Sequence, residues 1–189
     1  MNRLFRGNGL ACDLRGGMSL SIVVQFASNA KRLPDRAQVR RWALAAHGTA
    51  AGGAVTIRYV DEKEGRALNR QFRGKDYATN VLTFVQDPVP SPFAPGPSSR
   101  RVDALKTSTG SVRTAANYAA DIVICAPVIA REAREQKKAV ADHHGHMVVH
   151  GMLHAQGFDH ENNEDASAME AIEIAVLRRF RIKNPYAVE

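Results

Sequence analysis

The chain has 189 residues, a formal net charge of +7 from 26 Lys and Arg against 19 Asp and Glu, and a pI near 9.8. With 44% hydrophobic and 24% charged residues it has globular composition, which excludes a wholly disordered chain, and its length suits one domain whose core needs no disulfide staples. No apolar run approaches the roughly 20 residues of a membrane-spanning helix, and two cysteines, Cys12 and Cys125, read as free thiols of a reducing, cytoplasmic compartment.

The first 17 residues carry charges and four glycines but no continuous apolar stretch. They lack the core of a secretory signal and read as a disordered tail (1–17), with Met18 as a possible natural start and an organellar transit peptide as the weaker alternative. From Ser19, SLSIVVQF alternates Leu20, Ile22, Val24 and Phe26 as a half-buried strand does. Pro34 and Asp35 open a helix with Val39, Trp42, Ala43 and Ala46 at helical spacing. After a loop holding Gly48, Gly52 and Gly53, a second strand covers Ala54–Val60. Asp61 is then placed to cap a second helix, with Glu62 and Glu64 in its positive first turn and Leu68 and Phe72 as its buried side.

A third strand is expected over Asn80–Val85 and a fourth over Asp121–Cys125. Residues 87–118 between them hold five of the eight prolines and read as a mobile, basic insertion on one domain spanning 18–186. Helix follows Pro127, and Asp142 is placed to cap a further helix from about 143 to 155. The last helix, roughly Glu164–Phe180, has Ala168, Met169, Ile172, Ile174, Ala175 and Leu177 as its apolar set. It runs into the basic cluster Arg178, Arg179, Arg181 and Lys183 and stops at Asn184-Pro185. Strands and helices mix without a repeated βα unit, so the class is α+β, a single domain with a mixed sheet of about four strands.

Six of the seven histidines lie between 143 and 160. His150 and His154 are four apart, so on a helix their rings stand on one face, and Gly157 sits where the helix can turn back to bring in His160. Three ligands leave the fourth position of a tetrahedral zinc open to water, the arrangement of catalytic rather than structural sites. His146, one turn earlier, reads as a support for a ligand or a substrate contact, since a fourth ligand would close the site. Asp159 can orient a ligand histidine or cap the turn after Gly157. His143 and His144 read as a solvated helix start.

The spacing also matches the extended zinc-peptidase pattern H-E-x-x-H-x-x-G-x-x-H except that Gly151 stands where the glutamate base should be. Losing that base would cost a peptidase about 10² to 10⁴ in rate.

His150-Gly151-Met152-Leu153-His154-Ala155-Gln156-Gly157-Phe158-Asp159-His160 instead resembles the H-G-x-L-H-x-x-G-[YF]-D-H signature of the YbeY-type endoribonucleases, bacterial rRNA-maturation and ribosome quality-control factors. LNRQFRGKDYATNVLTF (68–84), DIVIC with AREAREQ (121–136) and MEAIEIAVLRRF with NPY (169–186) extend the resemblance over most of 19–186. The chain departs from the pattern at Asn80 (usually Asp), Thr83 (Ser), Val85 (Pro) and Ala120 (Gly), and its proline-rich insertion is long. At Asn80 the chain lacks the negative charge that the family's aspartate carries.

The resemblance implies that His150, His154 and His160 bind one zinc or similar divalent ion, with Arg73 as the other functional residue. Independently of it, Arg73 follows a helix in the basic run Arg70, Arg73, Lys75, and its planar fork suits a phosphate. The expected chemistry is metal-assisted cleavage of an RNA phosphodiester. Zinc lowers the pKa of its bound water to about 7, so no glutamate base is required. The resemblance further implies action on single-stranded RNA in 16S 3′-end processing, association with the small ribosomal subunit, and a small-subunit ribosomal protein and an assembly GTPase as partners. Residues 87–118 then read as a solvated linker or an RNA-contacting arm. Two other readings are a non-enzymatic ribosome-assembly factor with a structural zinc and a hydrolase of another bond, including a degenerate peptidase.

Overall fold

The computed structural model describes residues 20–48, 52–86, 118–160 and 162–187. The expected tail and residues 87–117 of the expected insertion lie outside them. The alternating apolar residues of β1 (Leu20–Phe26), β2 (Gly53–Val60) and β4 (Tyr118–Cys125) form parallel neighbours, and β3 (Val81–Gln86) runs antiparallel on the outer side of β4. The sheet order is β1-β2-β4-β3, a mixed four-stranded α+β sheet. Tyr118, expected in the insertion, is the buried first residue of β4.

Period-two alternation gives the sheet two unlike faces. Ile22, Val24, Val55, Ile57, Tyr59, Ala120, Ile122 and Ile124 point into the main core. There they meet Trp42 and Ala43 of α1 (Arg36–His47), the apolar side of α4 (Val140–Ala155), and Met169 and Leu177 of α5 (Asn163–Arg178). Asp35 caps α1 by accepting the Gln38 amide at 2.7 Å. On the opposite face Val60, Leu82, Val123 and Cys125 form a smaller core with Leu68 of α2 (Glu62–Arg73) and Val128 of α3 (Ala126–Glu135).

Five local expectations are corrected by packing. Phe72 is 56% exposed rather than buried, its ring resting on that of Phe84 of the edge strand, 4.9 Å away. Asp61 occupies the N-cap position of α2 without capping it, since its carboxylate accepts the Ser28 hydroxyl instead. The fourth helix begins at Val140 after Ala139, with Asp142 inside its first turn rather than at its cap. It separates from α3 at Lys137, whose φ is +53°. His143 and His144 are buried, not solvated, because α4 runs through the core from its first turn. In α5, capped by Asn162, the buried stripe includes Glu173 and Val176 and leaves Ala168 and Ala175 exposed. Among the described residues no helix is long and apolar enough to cross a membrane.

Candidate metal centre

Helix α4 lies across β3 and β4, with Gly151 seated against Ile122 and Thr83 of the sheet. Four-residue spacing stacks His150 and His154 on adjacent turns, with ring centroids 4.6 Å apart and the two Nε2 atoms 3.1 Å apart. The helix ends at Ala155, where Gly157 takes φ +89°, a left-handed conformation that a side chain would strain. The turn is closed by the Gly157 amide donating to the His154 carbonyl and the Phe158 amide to that of Leu153. Phe158 packs on the core, and the chain returns with His160 beside the pair, 5.6 Å from the His150 ring and 5.0 Å from that of His154. Asp159 accepts the His160 amide at 2.8 Å, so it holds the backbone of this turn.

One nitrogen from each of these three rings falls within 4.8 Å of the others. Two imidazole Nε2 atoms converging at 3.1 Å, with a third nitrogen closing the triangle, form a donor set suited to a borderline-soft divalent ion such as zinc. His154 is held below the usual imidazole range, first by burial and then by the neighbouring His150 and His160, which favours the neutral ring a metal requires.

Behind the triangle lies Glu173 of α5, fully buried at 0% exposure. Its carboxylate faces His150 Nδ1 at 2.8 Å and His146 Nε2 at 3.0 Å, and it accepts the Tyr186 hydroxyl. Burial alone would raise its pKa, but the hydrogen bonds from His146, His150 and Tyr186 outweigh that and hold it at about 2. His146 thus sits on Glu173, one step removed from the three converging nitrogens. Glu173 escaped sequence reasoning because a glutamate in an amphipathic helix reads as solvent-facing. The spacing Met169, Glu173, Val176 placed it on the apolar stripe, and that was the available signal.

A second polar cluster joins α4 to α3 and the start of β3. His143 Nε2 meets Glu132 at 2.8 Å, and the Asn80 amide donates to both Glu132 oxygens at 3.2 and 3.3 Å. Asn80 therefore has a defined partner, and it is a donor where an aspartate would have set one carboxylate against another.

A family profile described as Endoribonuclease YbeY matches residues 26–181. The chain belongs to this family. It is 45% identical over 167 residues to the endoribonuclease YbeY of Thiobacillus denitrificans, covering 88% of this chain and 96% of that protein. It is 47% identical over 171 residues to that of Aromatoleum aromaticum, covering 89% and 93%. With the YbeY of Bordetella avium it shares 45% identity over 179 residues, covering 90% and 96%.

The remaining two expected site residues of this YbeY chain lie apart from the histidines in sequence and element. Arg73 is the last residue of α2 and Lys75 follows the turn at Gly74. Both are exposed, and neither makes a salt bridge among the described residues. The link to the histidines runs through β3. Phe72 rests on Phe84, and the next residue, Thr83, points to the other face, 3.4 Å from where a Cβ on Gly151 would stand.

Proposed function

We propose that this chain is a metal-dependent endoribonuclease that cleaves single-stranded RNA during rRNA maturation, including processing at the 16S 3′ end and ribosome quality control. The observation that carries the reading is the convergence of His150, His154 and His160 on one point at the end of α4. A divalent ion held there, most simply zinc, supplies polarisation of a phosphoryl oxygen and activation of water near neutral pH.

The chain's own residues supply the remainder. His150, His154 and His160 offer three imidazole nitrogens, one short of a tetrahedral set, which leaves a position for a further oxygen donor. Arg73, exposed beside the edge strand and without a salt bridge among the described residues, binds the RNA backbone through its fork and stabilises charge growing on the phosphate. Lys75, two residues on, adds a second phosphate contact. The excess of basic groups favours a polyanionic substrate, and aromatic content of 6% leaves little for base stacking, so backbone and shape recognition dominates.

The small ribosomal subunit, one of its proteins and an assembly GTPase complete the proposed setting, in the cytoplasm. The test compares nuclease-free wild type with Arg73→Ala on single-stranded RNA, with metal analysis of the same samples. Metal-dependent cleavage lost in the variant at unchanged metal content is expected. Equal cleavage by both would sink the role of Arg73. Intact RNA with fully loaded wild type would favour a non-enzymatic assembly factor.

A further inference from the structure

We infer that Glu173 is a positioning residue that fixes the tautomer of His150 and aims its Nε2 at the metal point, with His146 and Tyr186 locking the carboxylate in place. The inference rests on the metal reading above. His150 has two nitrogens with different tasks: Nε2 lies 3.1 Å from His154 Nε2, and Nδ1 lies 2.8 Å from Glu173 Oε1. A carboxylate accepts and does not donate, so the proton must sit on Nδ1, and the lone pair of Nε2 is left for the ion. The opposite tautomer would set a lone pair against Glu173 and direct an N–H at the metal point.

The carboxylate is itself tightly held. Its other oxygen faces His146 Nε2 at 3.0 Å and takes the Tyr186 hydroxyl, and no part of the residue reaches solvent. Tyr186 comes from the turn after α5, whose Pro185 carbonyl accepts Lys138 Nζ at 2.8 Å. Residues from α4, α5 and the C-terminal turn thus converge on one acidic group.

His146, His150 and Glu173 also bring three ligand-type atoms within 4.8 Å, which raises a second metal site as an alternative. Such a site would need a lone pair on His150 Nδ1 while Nε2 served the first ion, and a neutral imidazole has only one. The cluster is therefore a hydrogen-bonded support.

The experiment measures zinc affinity by chelator competition, and the His150 tautomer by nitrogen-15 NMR of the metal-free protein. Wild type, Glu173→Gln and Glu173→Asp are compared. Wild type should show the Nδ1–H tautomer of His150. Glu173→Gln, whose amide cannot accept from all three donors, should lose about 10- to 100-fold in zinc affinity and depart from that tautomer. Glu173→Asp keeps the charge but withdraws it by one methylene, so it should not restore affinity. It also decides the matter if the Gln variant does not fold. Either folded variant with wild-type affinity and tautomer overturns the inference while leaving the metal site standing. A purely structural role would give that result with a lowered metal-free Tm. Wild type that binds no zinc overturns both readings.

Discussion

Gly151 lies directly against Ile122: a Cβ built on the glycine would stand 2.7 Å from Ile122 Cγ2. This contact explains how the chain carries a zinc-peptidase motif at every specified position but that of the glutamate. The helix sits so close to β4 that position 151 has no room for a side chain, and its Cα–Cβ direction leads into the sheet rather than toward the three histidines. Gly151→Ala is expected to cost about 1–3 kcal/mol through overpacking, read by urea denaturation. Gly151→Glu should destabilise further and gain no peptidase activity. A stable Gly151→Glu protein that hydrolyses peptides would refute this account of the motif.

Zinc should stabilise the fold through the three histidines. At a free concentration 100 times Kd, a site present only in the native state adds about 2.7 kcal/mol. A thermal scan with and without metal should show that increment as a raised Tm in wild type. Chelation should remove it. His154→Ala should show little response to zinc while remaining folded without it, because the main core has its own apolar contacts. Loss of folding in metal-free His154→Ala would instead favour a structural zinc.

Arg73→Lys separates charge from geometry. The ammonium keeps the charge but loses the bidentate fork, and a charge-assisted hydrogen bond is worth about 1.5–3 kcal/mol. Single-turnover cleavage should therefore slow roughly 10- to 100-fold, with Arg73→Ala slower still and neither Tm nor metal content changed. Lysine at wild-type rate would reduce Arg73 to a general electrostatic contact.

His144 makes stability depend on pH. Burial, with a smaller contribution from His143, lowers its pKa from the ordinary 6.5 to about 4, and its ring packs 5.4 Å from that of Tyr59. Between those two values the unfolded chain binds a proton that the folded one refuses. The stabilising effect is thus complete above about pH 6.5 and lost as pH falls toward 4, on the order of 3 kcal/mol. His47 and His146, also lowered by burial, act in the same sense. Glu173, held at about 2, adds a further loss below about 4.5. His144→Leu removes one component only, so the difference between its Tm–pH curve and that of wild type isolates the effect. Parallel curves between pH 4 and 6.5 would refute it.

Much of the architecture was legible in the chain. The alternation of Leu20, Ile22, Val24 and Phe26 marks β1, and the spacing of Val39, Trp42, Ala43 and Ala46 marks α1, because burial of one face imposes the period of the element that carries it. The histidine triangle was legible for the same reason: four residues of helix and a glycine turn are local geometry. Boundaries slipped where the decisive partner is distant. Asp61 looks like a cap until Ser28, 33 residues away, takes its carboxylate. His143 and His144 look solvated until Glu132 and Tyr59 enclose them.

The sequence by itself determined the α+β class, the family and the three histidines, because each is written in short-range periodicity or a contiguous motif. Only the tertiary structure decided what stands behind them. It buried Glu173 against His150, seated Gly151 on Ile122, and placed Arg73 by an edge strand whose other face meets the histidine-bearing helix. Those relationships join residues 23, 29 and dozens more positions apart. Burial and hydrogen bonding across such distances follow from how helices pack on the sheet, and no local pattern records that.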